Sequence, residues 1–164
     1  MIIKPLETTE EIRGKAFVHC TAWKEAYAGI VDQSFLDGRT LELSESFARR
    51  AFDLGYASLI AVDDGKVCGF ADYGPYRGDD LPDAGEVYAI YVLKEYYGSG
   101  AGPALMRKAL ESMREAREVA VWVLKDNHRA IRFYTKFGFR PDGEEKTLKL
   151  GTEVREIRMI LSRR

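Results

Sequence analysis

The chain has 164 residues, 46% of them apolar, and 25 Lys and Arg against 26 Asp and Glu leave a formal net charge of -1. That composition supports one compact domain whose core needs no disulfide or structural metal. The balanced charge excludes a general nucleic-acid binder, which needs a basic surplus to displace counterions. Cys20, Cys68, His19 and His128 are too scattered for a zinc site, so no metal is expected.

Residues Ile2 to Lys4 read as a short first strand. Thr9 followed by Glu10, Glu11 and Ile12 reads as a helix start, with acids in the first turn. Ile12, Ala16, Cys20, Trp23 and Tyr27 then fall on or near one face, up to about Gly29. A second amphipathic helix is predicted from about Ser34 to Phe52, with Gly38 weakening its front end. The apolar runs Ala57 to Val62 and Lys66 to Tyr73 flank Asp64-Gly65, a hairpin signal because the turn needs positive φ. A short loop, Gly74 to Gly85, leads to Glu86 to Leu93, apolar on both faces and so a central strand.

A glycine turn, Gly98 to Gly102, follows, and Pro103 opens a helix carrying Leu105, Ala109 and Met113. Val119 to Leu124 is a further buried strand. Asp126 or Asn127 caps a helix to about Phe137, which Gly138 stops. Thr147 to Leu150 and Glu153 to Leu161 are the last strands, turning at Gly151. The order is β-α-α-β-β-β-α-β-α-β-β, an α/β (α+β) mixed sheet with helices packed against it. The two thiols read as reduced and buried. The first residues show no basic stretch followed by an apolar run, so no signal peptide is expected. No run reaches the length of a membrane span, and the expected location is the cytoplasm.

The turn carries the chemistry. In YYGSGAGPAL, Gly98, Gly100 and Gly102 lack Cβ atoms, so an anion can approach the backbone at a helix N-terminus. A P-loop needs Gly-Lys-Ser/Thr here, and Gly102 is followed by Pro103 and Ala104. A dinucleotide fingerprint needs a third glycine where Pro103 stands, and places its turn on the first strand of the fold. A coenzyme A pyrophosphate turn and an ordinary strand-to-helix connection are left. Downstream, VLKDNHRAIRFYTKFGF puts Asn127, Ala130, Ile131 and Tyr134 on one helical face.

Together the two segments resemble the GNAT superfamily of N-acetyltransferases. Its coenzyme A motif, Q/R-x-x-G-x-G/A, is followed from the second position by Gly98, Ser99, Gly100, Ala101 and Gly102, with Tyr97 at the Q/R position. Its later motif, N-x-x-A-x-x-x-Y followed by G-F, matches Asn127, Ala130, Tyr134, Gly138 and Phe139. The resemblance implies a mostly antiparallel sheet of about seven strands flanked by four helices, across a single domain spanning the chain. It also implies acetyl-CoA as co-substrate and direct transfer of acetyl to a primary amine.

By the same resemblance, Ile90, Tyr91 and Val92 pair with the pantetheine arm as a strand would. Tyr134 is the general acid for the leaving thiolate, and Asn127 contacts the cofactor or simply caps its helix. An alkylamine with a pKa of about 10.4 is neutral in roughly one molecule in a few thousand at pH 7, so a base is wanted. Glu86 stands where some family members place theirs, or is a solvated charge at a strand end. Tyr88, two residues on, lies on the same strand face and positions a water. Trp23 and Tyr27, in a segment resembling bacterial small-molecule and polyamine GNATs, line an acceptor pocket or belong to the core. Asp72, Asp79, Asp80, Asp83 and Glu86 form an acidic stretch that attracts a cationic amine or is merely solvated. His19 and His128 receive no catalytic role. A homodimer is suggested by the family and by the long terminal strands. A peptide N-acetyltransferase and a non-catalytic acyl-CoA-binding domain are the alternative functions.

Overall fold

The computed structural model describes residues 1–163. The strands are β1 (Ile2–Pro5), β2 (Ala57–Asp63), β3 (Lys66–Pro75), β4 (Gly85–Val92), β5 (Glu118–Leu124), β6 (Arg140–Leu150) and β7 (Thr152–Ser162). The helices are α1 (Thr9–Tyr27), α2 (Gln33–Asp37), α3 (Leu41–Asp53), α4 (Ala101–Ser112) and α5 (His128–Lys136). One sheet holds all seven strands in the order β1-β2-β3-β4-β5-β7-β6, and β4 with β5 is its parallel pair. No helix among the described residues is long and apolar enough to cross a membrane.

Local chemistry explains most boundaries. Thr8, one residue before the expected start, caps α1: its side chain accepts from Glu11 N, and Glu11 answers to the Thr8 backbone. The expected second helix is two. It stops at Gly38 and restarts at Leu41, where Thr40 accepts from the Leu43 N–H at 3.1 Å. The glycine that weakened the pattern therefore marks a break, giving five helices among the described residues. β6 begins at Arg140, seven residues before the predicted Thr147, because a register shift between Pro141 and Glu145 lets pairing with β7 resume across a bulge.

Alternation along the strands divides the core. Ile60 and Phe70 pack with Ile12, Ala16 and Ala48 beneath α1 and α3. Leu59, Ala61 and Ala71 meet Leu105 and Ala109 of α4 on the opposite face. Val121, Val123 and Met159 meet Met106 of α4 and Tyr134 of α5 on that same side. Cys20 and Cys68 are both buried and free. The sheet is thus covered on both faces, and its one parallel junction lies near its middle.

Candidate active site

β4 and β5 pair only from Gly85 to Val87, against Val119 to Val121. Beyond that point β4 stays with β3 as far as Val92, and β5 stays with β7 as far as Leu124. The two strands diverge, and the edge of β4 from Ile90 to Val92 faces a gap. A β-bulge helps set this up: Ala89 pairs with Asp72 and Val87 with Tyr73, leaving Tyr88 unmatched. A cavity of about 750 Å³ fills the gap, with Ile90, Tyr91 and Val92 along one wall.

The glycine turn forms one end of the cavity, contributing Tyr97, Gly98, Gly100 and Gly102 to its lining. Gly98 has φ +80° and Gly100 φ +92°, and a Cβ at either would meet nothing within 4 Å. Backbone conformation therefore demands glycine there, and open space lies beside it. Gly102 differs: a Cβ would meet Phe133 at an ordinary contact distance of 3.4 Å, so neither backbone conformation nor space demands glycine there. Ser99 and Ala101 do not reach the cavity lining. The Ser99 hydroxyl accepts the Ala101 N–H at 3.3 Å, and Ala101 is buried beneath α4. α4 starts at Ala101 with no side chain capping it at Gly100, so Pro103 is its third residue and still inside the first turn. A helix N-terminus with glycine at its cap position, open glycines and a free strand edge fit a ligand with a pyrophosphate and an amide-bearing arm.

Arg129, which the sequence reading passed over, completes this end. Its guanidinium lies 3.3 Å from the centre of the Tyr97 ring, and both residues line the cavity. Tyr97 stands where the resembled motif has a Gln or Arg. The cation comes instead from the first turn of α5, and the signal was its place two residues after the helix cap. That cap is Asn127, whose side chain accepts from the Ala130 N–H at 3.2 Å while also facing the cavity.

The other end of the cavity is phenolic. Tyr134 is buried, 7% exposed, and burial pushes its pKa well up, with Tyr27 and Glu156 adding to the effect. Tyr91 is pushed up likewise by burial, and its hydroxyl lies 2.9 Å from that of Tyr27. Tyr27 thus reaches the cavity through Tyr91 and does not line it. Trp23 is a core residue: it is 8% exposed and packs with Val31, Leu36 and Leu124, and the Arg39 guanidinium lies over its ring.

Glu86 is neither solvated nor beside the cavity. It is 1% exposed, and Arg77 clasps it through its backbone N–H at 3.0 Å and its guanidinium at 2.8 and 3.3 Å. Tyr88 sits on the bulge, so simple alternation does not place it relative to Glu86. Its hydroxyl donates to the Pro75 carbonyl and its ring lies under the same Arg77, at 4.4 Å. The acidic stretch is largely neutralised: Asp72 pairs with Lys15 at 2.7 Å and Asp80 with Arg158 at 2.6 Å. His19, half-buried against Phe70 and Tyr91, is held neutral, its pKa lowered to about 3 by burial and by Arg39 and Lys15. His128 is exposed at the cavity rim.

Comparison with known proteins bears on the family and the fold. The family model described as "Acetyltransferase (GNAT) family" matches residues 21–139. An N-acetyltransferase of Bacillus subtilis, YuaI, is 30% identical over 152 residues, covering 90% of this chain and 86% of its own. One from Mycobacterium tuberculosis, Rv2669, is 38% identical over 120 residues, 72% of each chain. Among solved structures, the PaiA N-acetyltransferase of Thermoplasma acidophilum in complex with coenzyme A superposes with a TM-score of 0.75 at 20% identity, over 99% of both chains. The acetyltransferase YncA of Salmonella typhimurium with acetyl-CoA gives 0.72 at 18% identity, over 99% of this chain and 93% of its own.

Proposed function

The chain belongs to the acetyltransferase (GNAT) family of N-acetyltransferases, and from that premise we propose that it moves acetyl from acetyl-CoA to a primary amine of a small molecule by direct attack. The observation that carries this reading is the single cavity joining the glycine turn to the buried Tyr134 through the β4–β5 gap. Acetyl-CoA supplies an activated acyl carbon and a thiolate leaving group. The chain supplies the rest. The α4 N-terminus and Arg129 hold phosphate charge, the Ile90–Val92 edge pairs with the amide-bearing arm, and Asn127 faces the same channel.

Tyr134 holds its proton because burial disfavours the phenolate, and it gives that proton to the departing sulfur. Glu86 serves as the anchor of Arg77 and of the β3–β4 loop. Asp72, Asp80 and Glu86 of the acidic stretch are already paired, so a polyamine preference would rest on the exposed Asp79 and Asp83.

The test is release of coenzyme A thiol across a panel of amines, with acetyl-CoA and longer acyl-CoAs. Acceptor-dependent thiol release is expected. Coenzyme A binding without it would favour a binding module. Tyr134→Phe is expected to lower kcat by about 100-fold while leaving coenzyme A affinity unchanged. An unchanged kcat would remove Tyr134 from the chemistry.

A further inference from the structure

The carboxylates on the α1 face of the sheet differ in how they are held. Glu86 accepts three hydrogen bonds from Arg77. Asp72 meets buried Lys15 at 2.7 Å, and Asp80 and Asp142 each meet buried Arg158 at 2.6 Å. Glu156 is the exception. Its partner is Lys146 on the neighbouring strand, at 3.6 Å, and that lysine is itself 42% exposed. A carboxylate in a tight bidentate clasp has its lone pairs directed at donors. Glu156 has no such clasp among the described residues.

Its position follows from register. Glu156 on β7 pairs with Leu124 on β5 and with Lys146 on β6. Paired residues share a face, and Leu124 packs against Trp23, Tyr27 and Tyr91. Glu156 therefore stands on the α1 face beside the diverging end of β5, where Tyr27 and Tyr91 join hydroxyls. Tyr134 reaches the same gap from the opposite face, and the Glu156 charge opposes its ionisation as well as that of Tyr27. One loosely held carboxylate thus stands near enough to Tyr27 and Tyr134 for its charge to act on both, and Tyr134 lines the cavity beside Tyr91.

We propose that Glu156 is the catalytic group that takes the proton from a primary alkylammonium acceptor, at a site it forms with the hydroxyls of Tyr91 and Tyr134, the first of them held by Tyr27. This rests on the acetyl-transfer reading above. The acceptor arrives as an ammonium ion and gives one proton to a Glu156 carboxylate oxygen. The lone pair left on nitrogen attacks the acetyl carbon. The C–N bond forms and the C–S bond breaks, its electron pair leaving on sulfur. Sulfur takes the Tyr134 proton, and a second proton from nitrogen restores the phenol. Glu156 then loses its proton to solvent.

Two features suit the group to this role. Burial raises the Glu156 pKa above the ordinary carboxylate value and Glu86 adds to that, while Lys146 and Arg77 oppose it. A stronger base results, without a clasp to break. Once protonated, Glu156 no longer opposes ionisation of Tyr134, so accepting the first proton eases release of the second. The charged and titratable groups around it are Lys146 on β6, Arg77 in the β3–β4 loop, Glu86 on β4, Tyr27 on α1 and Tyr134 on α5.

The experiment compares wild type, Glu156→Gln, Glu156→Asp, Lys146→Met and Glu86→Gln, each folded by thermal melt and titrated with coenzyme A. With the best amine from the panel, kcat/KM is followed against pH. Glu156→Gln is expected to lose about 100-fold in kcat/KM and to lose the acid limb, at unchanged coenzyme A affinity. Glu156→Asp should restore part of the rate and the limb. Lys146→Met should move the limb to higher pH, since it removes a cation that lowers the carboxyl pKa. An acid limb that survives Glu156→Gln, or that vanishes in Glu86→Gln instead, overturns the proposal. A wild type that binds coenzyme A yet acetylates no amine overturns the acetyl-transfer reading itself, and this assignment with it.

Discussion

Arg129 shows how one residue can replace another across the fold. A guanidinium placed on the Tyr97 ring is held in one orientation with its N–H groups free at the cavity edge. Arg129→Ala is expected to weaken coenzyme A binding about tenfold, or about 1.4 kcal/mol, the scale of one charge-assisted hydrogen bond. Calorimetric titration with coenzyme A and with its 3′-dephospho form checks this, and equal loss for both places the contact at the pyrophosphate. Tyr97→Phe should cost little, because the ring and not the hydroxyl carries the cation. At this scale the resembled motif singled out Tyr134 and Asn127, and both line the cavity. It singled out neither Arg129 nor the proposed base Glu156, since a lone charge in TEVREIRMIL or NHRAI has no pattern of its own.

At the scale of elements, the α4 N-terminus and the divergence of β4 from β5 set the site. Gly100→Ala forces a Cβ into the left-handed region and into the open side of the turn. It should cost about 1–2 kcal/mol of stability and sharply reduce coenzyme A affinity. Gly102→Ala has no such φ and meets Phe133 at ordinary contact distance, so its melt should stay near that of wild type. Thermal denaturation beside coenzyme A titration separates the two. Element order was legible from periodicity, but the break at Gly38 and the bulge at Tyr88 were not settled by it. A helix break depends on whether the next segment finds a better cap, here Thr40. A bulge depends on the partner strand, which the local sequence does not name.

For the whole molecule, His19 links helix packing to pH. It is wedged between Phe70 and Tyr91, with the Arg39 guanidinium 3.3 Å from its ring. Its pKa falls from 6.5 to about 3 on folding, through burial first and then Arg39 and Lys15. The unfolded chain takes up this proton below pH 6.5 and the folded chain does not. Stability is therefore held above pH 6.5 and lost progressively as pH falls towards 3. At pH 5 the loss from this group is about 2 kcal/mol. His19→Gln should lower stability at pH 7 through lost packing, yet lose about 2 kcal/mol less between pH 7 and pH 5. Urea titrations at the two pH values measure the difference.

The sequence by itself determined the strand order, every helix apart from the break at Gly38, the glycine turn and the family resemblance that singled out Tyr134. These depend on local periodicity and on residues a few positions apart. Tertiary structure decided which charges are spent and which are free. Glu86 looked available at the start of a strand, and Arg77, nine residues earlier, closes over it once the β3–β4 loop folds back. Glu156 looked like one charge among many, until β5 and β6 flanked it and left it a distant lysine for a partner. Electrostatic pairing depends on distances between segments far apart in the chain, and those distances exist only when the sheet is assembled.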